Sequence, residues 1–363
     1  MIGSIQSWNA KRLLCQSDAD EWLVKRSEYS RKGQVALTKS NEDLLDVIIV
    51  VVAFNEAQRI GDCLHALLSQ VTNQKYGVVV IDDGSTDNTS GIVEQIRKTD
   101  PRLSLIRHDV NLGRGAARRT GQDSSTASHL AFVDADIIVP PDWLQRCTEA
   151  LSEHSAVSAV ALPDGDAAVI WRIFGAAIRF RVGFSGITGN NVIFDADVLR
   201  LEPFDAQFTL GEDFRLSQRL MRSGYKLKVL DDLSVEHRET KKYGATIKYM
   251  WETGVDATAH PFEFRIVRIP DLSWGIWFLW CLASLIASIV GWWSWALGAL
   301  SVVGVTILVS FGYTLSRFRV RPYPLRWVAS AFGSFPLIIS YLAGRTWGLG
   351  TLFASRPRQV KGH

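Results

Sequence analysis

Several kinds of signal are missing from this sequence. Its four cysteines (Cys15, Cys63, Cys147 and Cys281) are scattered and none forms a CxxC pair. No zinc site is therefore expected, and the thiols read as reduced, in a cytosolic compartment. Charge of one sign is also lacking: 40 Lys and Arg against 37 Asp and Glu leave a net charge of +3. That surplus does not argue for a nucleic-acid partner. No signal peptide is expected, because residues 1–45 are polar and mixed in charge; they read as an N-terminal extension with no assigned role. The most informative absence is local. From Leu272 to Ser316, 45 successive residues carry no charge, which is room for two membrane-spanning helices of about 20 residues each.

What is present ahead of that stretch is a rhythm of strand, polar turn and helix. Val47–Val52 is a continuous apolar run ending in Ala53-Phe54-Asn55-Glu56, followed by Ile60, Leu64, Leu67 and Leu68 at helical spacing. Val78–Ile81 stops abruptly at Asp82-Asp83-Gly84, and Asp87-Asn88-Thr89 opens a helix with Ile92, Val93 and Ile96 inside. Leu103–Ile106 is a third strand, after which a glycine turn at Asn111–Gly115 leads into a helix carrying Arg114 and Arg118. His129–Val133 is a fourth, ending in Asp134-Ala135-Asp136, with Pro140-Pro141 starting another helix. Four such runs alternating with helices predict an α/β fold with a doubly wound, mostly parallel, Rossmann-like sheet. Ligands of such sheets bind beyond the carboxyl ends of the strands, where Asp82, Asp83, Asp134 and Asp136 all fall.

The second half is less regular. Ala156–Leu162 reads as a strand. Ala167–Gly183 mixes Trp171, Phe174, Ile178 and Phe180 with Arg172, Arg179 and Arg181, a helix that either faces the core or meets lipid head groups. Gly189-Asn190-Asn191 is a polar turn. Gly211-Glu212-Asp213 opens a helix, Gly224 ends it, and Leu227–Leu230 is a short strand with His237 beyond. Tyr243–Gly254 reads as an amphipathic helix. Two α-helical hydrophobic spans follow, about 274–293 and 294–313, and a third at 327–344 is broken by Pro336 and either crosses or re-enters the membrane. Arg317, Arg319, Arg321 and Arg326, with no acid among them, put their loop in the cytoplasm by the positive-inside rule, and the large domain with it. The expected division is a cytoplasmic domain at 46–262 and a membrane domain at 263–363.

Two carboxylates at i and i+2 leave an extended segment on one side. Buried together, Asp134 and Asp136 call for a cation, and an oxygen-loving Mg²⁺ or Mn²⁺ with a diphosphate suits them. The plainer reading is a solvated turn. Asp82 and Asp83 either cap the turn or hydrogen-bond a base and ribose. Arg114 and Arg118 are either solvated helix charges or face a nucleotide and its phosphates. Glu212 and Asp213 either complement a helix dipole or supply a general base. His237 is either structural or a metal or phosphate ligand.

These motifs together resemble the membrane-anchored branch of the family-2 glycosyltransferases, of the GT-A fold and non-processive type. The resemblance covers roughly Asp46 to Tyr243 and rests on V-A-F-N-E (52–56), D-D-G-S-T-D (82–87), N-L-G-R-G-A-A-R (111–118), D-A-D (134–136), G-N-N (189–191) and G-E-D (211–213), with His237 after them. Val52 departs from the family, which commonly has proline there. The resemblance implies a nucleotide-diphospho-sugar donor, a divalent metal and inversion at the anomeric carbon. Ala53, Glu56 and Asp83 would then line the nucleoside pocket, with Asp82 close by, and Arg114, Arg118, Asp134, Gly189, Asn190 and Glu212 are the further expected contacts of the nucleotide-sugar. Asp134, Asp136 and His237 would hold metal, and Asp213 would be the catalytic base.

No Q-x-x-R-W follows His237, so the likeness to processive polysaccharide synthases fails and one sugar per encounter is expected. A phosphate acceptor is already ionised and needs no base, whereas a hydroxyl does. The expected partners are therefore a nucleotide-sugar, a membrane and a hydroxyl-bearing lipid-linked or glycolipid acceptor, in cell-envelope polysaccharide or glycolipid synthesis. A polyprenyl-phosphate glycosyltransferase and a non-catalytic sugar-nucleotide-binding membrane protein remain alternatives, and a nucleotidyltransferase is a weaker one.

Overall fold

The computed structural model describes residues 45–163, 187–238, 243–258, 269–292, 294–317 and 339–349. The segments 1–44 and 164–186, which include the Ala167–Gly183 helix expectation, lie outside the described residues, as does most of the third hydrophobic stretch. Among the described residues, those up to Leu162 and from 187 to Arg238 form one compact unit, and those from 243 onward form a second. The expected domain boundary at 262 lies outside the described residues.

The first unit is built on an eight-stranded sheet of order β3-β2-β1-β4-β7-β6-β8-β5. The strands β1 (Val47–Ala53), β2 (Tyr76–Asp82), β3 (Leu103–Arg107) and β4 (His129–Asp134) are the four runs read from the sequence, and they pair in parallel. Every residue of β1 and β2 is buried, which is why they read as unbroken apolar runs rather than alternating ones. Alternate side chains go to opposite faces. Val47, Ile49, Val51 and Ala53 pack with Cys63, Leu64 and Leu67 of α1 (Ile60–Leu68). Ile48, Val50 and Val52 share the other face with Ala117 of α3 (Arg114–Asp123), Phe132 and Phe194. Helices on both faces make the sheet doubly wound, as expected.

The rest of the sheet is mixed. The strand β7 (Asn191–Asp195) runs antiparallel between β4 and β6 (Ala156–Pro163). It begins at the turn expected at 189–191 and follows it directly, with no turn signal to part the two. The expected Leu227–Leu230 strand is the start of β8 (Leu227–His237), which reaches His237 and pairs it with Ile137 of β5 (Ile137–Ile138). Exposed Asp231 and Asp232 interrupt its pattern. The remaining helices of this unit are α2 (Thr89–Arg97), α4 (Trp143–Ala150), α5 (Ala196–Leu201) and α6 (Glu212–Arg222).

The second unit contains α7 (Tyr243–Ala257), α8 (Ile269–Ile289) and α9 (Trp295–Arg317), with a further helical stretch at 339–349. Glycines let that stretch lie against α7: a Cβ on Gly344 would come 2.3 Å from the Trp251 carbonyl oxygen, and one on Gly254 2.1 Å from that of Tyr341. Between α8 and α9, Trp277 donates to Thr306 at 2.9 Å, Trp280 to Ser301 at 3.0 Å, and Ser284 meets Ser301 at 2.9 Å. The outward positions are apolar, with Ile276, Leu279, Leu300 and Leu308 all exposed. Among the described residues no helix is long and apolar enough to cross a membrane.

Candidate active site

The site is assembled at the carboxyl ends of β1, β2 and β4, and its loops are tied together before any ligand is considered. After β1 the chain turns through Asn55 at φ +57°, a left-handed conformation that asparagine tolerates. The Asn55 N–H donates to Ser85 Oγ at 2.9 Å, and the Asn55 side-chain oxygen accepts from Thr86 N at 2.8 Å. Glu56 N donates to Thr89 Oγ1 at 2.9 Å and Ala57 N to Asp87 Oδ2 at 3.1 Å. The expected motifs at 52–56 and 82–87 are thus one interlocked double turn.

The paired aspartates at 82–83 are structural on this geometry. Asp82 is fully buried and accepts from Ser85 N at 2.9 Å and from the Ser90 hydroxyl. Asp83 accepts from Leu112 N at 2.9 Å, Gly113 N at 2.8 Å and His108 Nδ1 at 2.7 Å. Its carboxylate holds the glycine turn of residues 111–113 in place. The ring of His108 is itself buried and reaches Thr120 at 3.0 Å through its other nitrogen. Ala53, also buried, packs into the core. Ala53, Asp82 and Asp83, read as nucleoside-lining residues, stand at the carboxyl ends of β1 and β2, where the turn's own N–H groups bond both carboxylates.

The motifs at 111–118, 134–136, 189–191 and 211–213 meet around Arg118. Its side chain is buried and binds Asp134 Oδ1 at 2.7 Å, the Gly189 carbonyl at 2.9 Å and the Glu212 carboxylate. Glu212 is buried with it. Arg118 and Glu212, both read as nucleotide-sugar contacts, neutralise each other inside the fold. Asp213 stands next to Glu212 in the first turn of α6, where its Oδ2 accepts from Gly189 N at 3.0 Å and its Oδ1 from Phe214 N at 2.8 Å. Asn190 supplies its carbonyl to Asp134 N at 3.0 Å. Arg114 is exposed at the start of α3.

Asp136 lies on the other side of the 134–136 turn. Its Oδ2 meets His237 Nε2 at 3.2 Å, a contact made because β8 pairs with β5. Burial pushes the Asp136 carboxyl up, but the His237 hydrogen bond and charge, with Arg59 and Arg114, outweigh it and hold the pKa below its ordinary value. Glu56 shows the opposite balance: burial, then the negative charge of Asp136, raises it against the 2.6 Å contact with Arg59. Cys63 is buried beneath this turn, its thiol 3.7 Å from the Asp134 carbonyl and pushed well above its ordinary pKa by burial and then by Asp136 and Asp134. Sequence reasoning missed Arg59, His108 and Thr120. No pattern marks them, since each acts through a fold contact 12 to 25 residues away or through the charge of a neighbouring strand.

Residues 48–194 match the family model described as glycosyl transferase family 2. The chain carries a family 2 glycosyltransferase domain. It is 27% identical over 222 residues to glycosyltransferase AglE of Haloferax volcanii, an alignment covering 57% of this chain and 71% of that protein. An uncharacterized glycosyltransferase of Haemophilus influenzae is 24% identical over 49% of this chain and 61% of its own length. The succinoglycan biosynthesis protein ExoO of Rhizobium meliloti is 39% identical over 32% of each chain. The fold is that of a mannosyltransferase from Pyrobaculum calidifontis, with a TM-score of 0.56 and 18% identity over 91% of this chain and 98% of that one. The protein is accordingly an enzyme of the glycosyltransferase class.

The Pyrobaculum calidifontis mannosyltransferase is a complex with Mn²⁺, and the residues here fit a divalent metal in part. Asp136 Oδ1 is buried and accepts no hydrogen bond among the described residues, which is the state of a carboxylate oxygen reserved for a cation. His237 stands beside it. Asp134 does not complete the set, because Arg118 binds it, and among the described residues no group of three or more His, Cys, Asp or Glu gathers as a metal site. Of the three residues expected to hold metal, Asp136 and His237 are in contact and Asp134 has Arg118 on its Oδ1; phosphate oxygens or water would fill the other positions.

Proposed function

We propose that this glycosyltransferase is inverting and metal-dependent, and that it moves one sugar from a nucleotide-diphospho-sugar to a hydroxyl of a lipid-linked or glycolipid acceptor. The observation that carries the reading is the single buried guanidinium of Arg118 between Asp134 and Glu212, which brings the donor-side strand end and the Asp213 helix end into one site. Asp213, at the mouth of a helix and held through both oxygens by backbone N–H groups, accepts the proton of the acceptor hydroxyl. The freed oxygen attacks the anomeric carbon from the face opposite the diphosphate, and one displacement inverts the centre. When bound, a Mg²⁺ or Mn²⁺ ion offsets the charge building on the departing diphosphate. Asp136 and His237 would hold it, and exposed Arg114 is placed at the same strand ends to meet phosphate. The Pyrobaculum calidifontis mannosyltransferase is a complex with GDP-Man and Mn²⁺, and the same donor class is proposed here.

A membrane setting, with the catalytic domain on the cytoplasmic side, belongs to the same reading. What supports it is the inverted polarity of the α8–α9 pair: hydroxyls and indole N–H groups meet between the helices, while leucine and isoleucine face outward. Water selects the reverse arrangement, and lipid favours this one. The uncharged sequence that covers both helices runs unbroken from Leu272 to Ser316.

The test is binding and hydrolysis of a panel of UDP-, GDP- and dTDP-sugars by the detergent-solubilised full chain with Mn²⁺, Mg²⁺ or EDTA. One donor is expected to bind only with metal, with that binding lost in Asp136→Ala. Asp213→Asn is expected to retain binding and lose about 10²-fold or more in transfer. Metal-independent binding, or full turnover in Asp213→Asn, overturns the respective assignment. Offering a phosphate-only lipid beside a saccharide-bearing one identifies the acceptor class.

A further inference from the structure

We infer that Arg118 is a positioning residue that couples the donor side of the site to the catalytic base, acting through Asp134, Gly189 and Glu212 and touching neither phosphate nor acceptor. The inference rests on the reading of Asp134 as donor-facing and Asp213 as the base. Its geometric ground is a closed ring of contacts. Arg118 donates to the Gly189 carbonyl at 2.9 Å, and the N–H of the same Gly189 donates to Asp213 at 3.0 Å. Arg118 also binds Glu212, the chain neighbour of Asp213. Asp213 is thus fixed to Arg118 by two independent routes. Asp134 joins through its 2.7 Å ion pair, and its N–H is held by the carbonyl of Asn190, next to Gly189.

Three features separate this role from that of a phosphate ligand. The Arg118 side chain is 2% exposed, and both terminal nitrogens are already bonded within the protein. Its remaining Nε is buried, so no N–H is left pointing at solvent. Glu212 is 3% exposed, and a buried carboxylate without its cation is strongly unfavourable; the pair therefore holds α6 in one place. Finally, position 189 is built to the guanidinium. A Cβ there would lie 2.8 Å from Arg118 Cζ, so any side chain would have to displace the guanidinium. The glycine of the 189–191 motif admits the flat guanidinium against the backbone.

The test is a double-mutant cycle on the full-length detergent-solubilised enzyme, using Arg118→Lys and Glu212→Gln with the nucleotide-sugar the panel selects. Lysine keeps the charge but reaches only one of the two carboxylates. Each single variant is expected to lose about tenfold or more in kcat, while the Kd for the free nucleoside diphosphate changes by less than about threefold. The double variant is expected to lose no more than the worse single one, since both break the same link. Additive losses, or a diphosphate affinity that falls as far as kcat, overturn the inference. If Arg118→Lys melts at the assay temperature, Glu212→Gln and Gly189→Ala carry the test, with the same split between kcat and Kd expected. Asp213→Asn in the same assay keeps the two readings apart. Full turnover in that variant defeats the base assignment, whereas its loss beside an additive cycle defeats only the role of Arg118.

Discussion

Carboxylates at strand ends look interchangeable in a sequence, and in the fold they divide by what has already claimed them. Asp83 spends its oxygens on Leu112, Gly113 and His108. Asp136 keeps one oxygen unclaimed among the described residues. The Asp83–His108–Thr120 chain is buried throughout, so Thr120→Val, which removes the 3.0 Å contact to the ring, is expected to cost about 1–3 kcal/mol, read by denaturant unfolding, with little change in kcat. Asp87 offers a pH prediction. Burial acts to raise its pKa, but hydrogen bonds from Thr89 and Ala57 prevail and hold it below the ordinary value. A carboxyl lowered on folding adds stability above its unfolded pKa of about 4 and loses it as the pH falls through the folded value. Wild type is therefore expected to melt above Asp87→Asn at pH 7, with the gap closing as the buffer is taken toward about pH 3. A constant gap would show that the hydrogen bonds do not depend on the charge.

Elements show where periodicity suffices and where it fails. The strands β1 to β4 are legible because two-sided burial demands unbroken apolar runs. β7 follows its turn directly, and β8 carries exposed acids mid-strand, so neither stands out, although together they bring Asn190 and His237 to the site. Helix α3 lies so close to β1 that a Cβ on Gly121 would sit 2.2 Å from Val50 Cγ1. Gly121→Ala is expected to destabilise the fold by about 1–3 kcal/mol through overpacking. Adding Val50→Ala opens room for the new methyl, so the double variant is expected to be more stable than the sum of the two singles predicts. Thermal or urea unfolding of the four proteins measures that coupling.

For the whole molecule, the division into a catalytic unit and a helical unit follows from charge: acidic residues fill the first, and an uncharged stretch dominates the second. The exposed apolar faces of α8 and α9 lead to the expectation that the full chain pellets with membranes and leaves them only with detergent. Leu279→Lys with Leu300→Lys, both at exposed positions, would place charge where lipid is proposed, at about 2.5–3.5 kcal/mol each near a helix centre. Flotation and alkaline extraction are expected to show the variant in the soluble or aggregated fraction. A wild-type chain that stays soluble without detergent would instead make those faces a protein-binding surface.

Local properties were enough to settle the parallel half of the sheet, the order of the six motifs and the uncharged stretch, because strand burial, turn chemistry and hydrophobic length are all written in neighbouring residues. They also pointed to the right family of catalyst. What each charged residue does waited on three-dimensional contact, because a charge is defined by its partners. Folding joined Arg118 and Glu212 in an internal ion pair. It made Asp82 and Asp83 braces of the loops, and left Asp136 beside His237 as the pair open to a cation. Arg118 and Glu212 stand 94 residues apart in the chain, and Asp136 and His237 stand 101 apart; no spacing rule reaches that far.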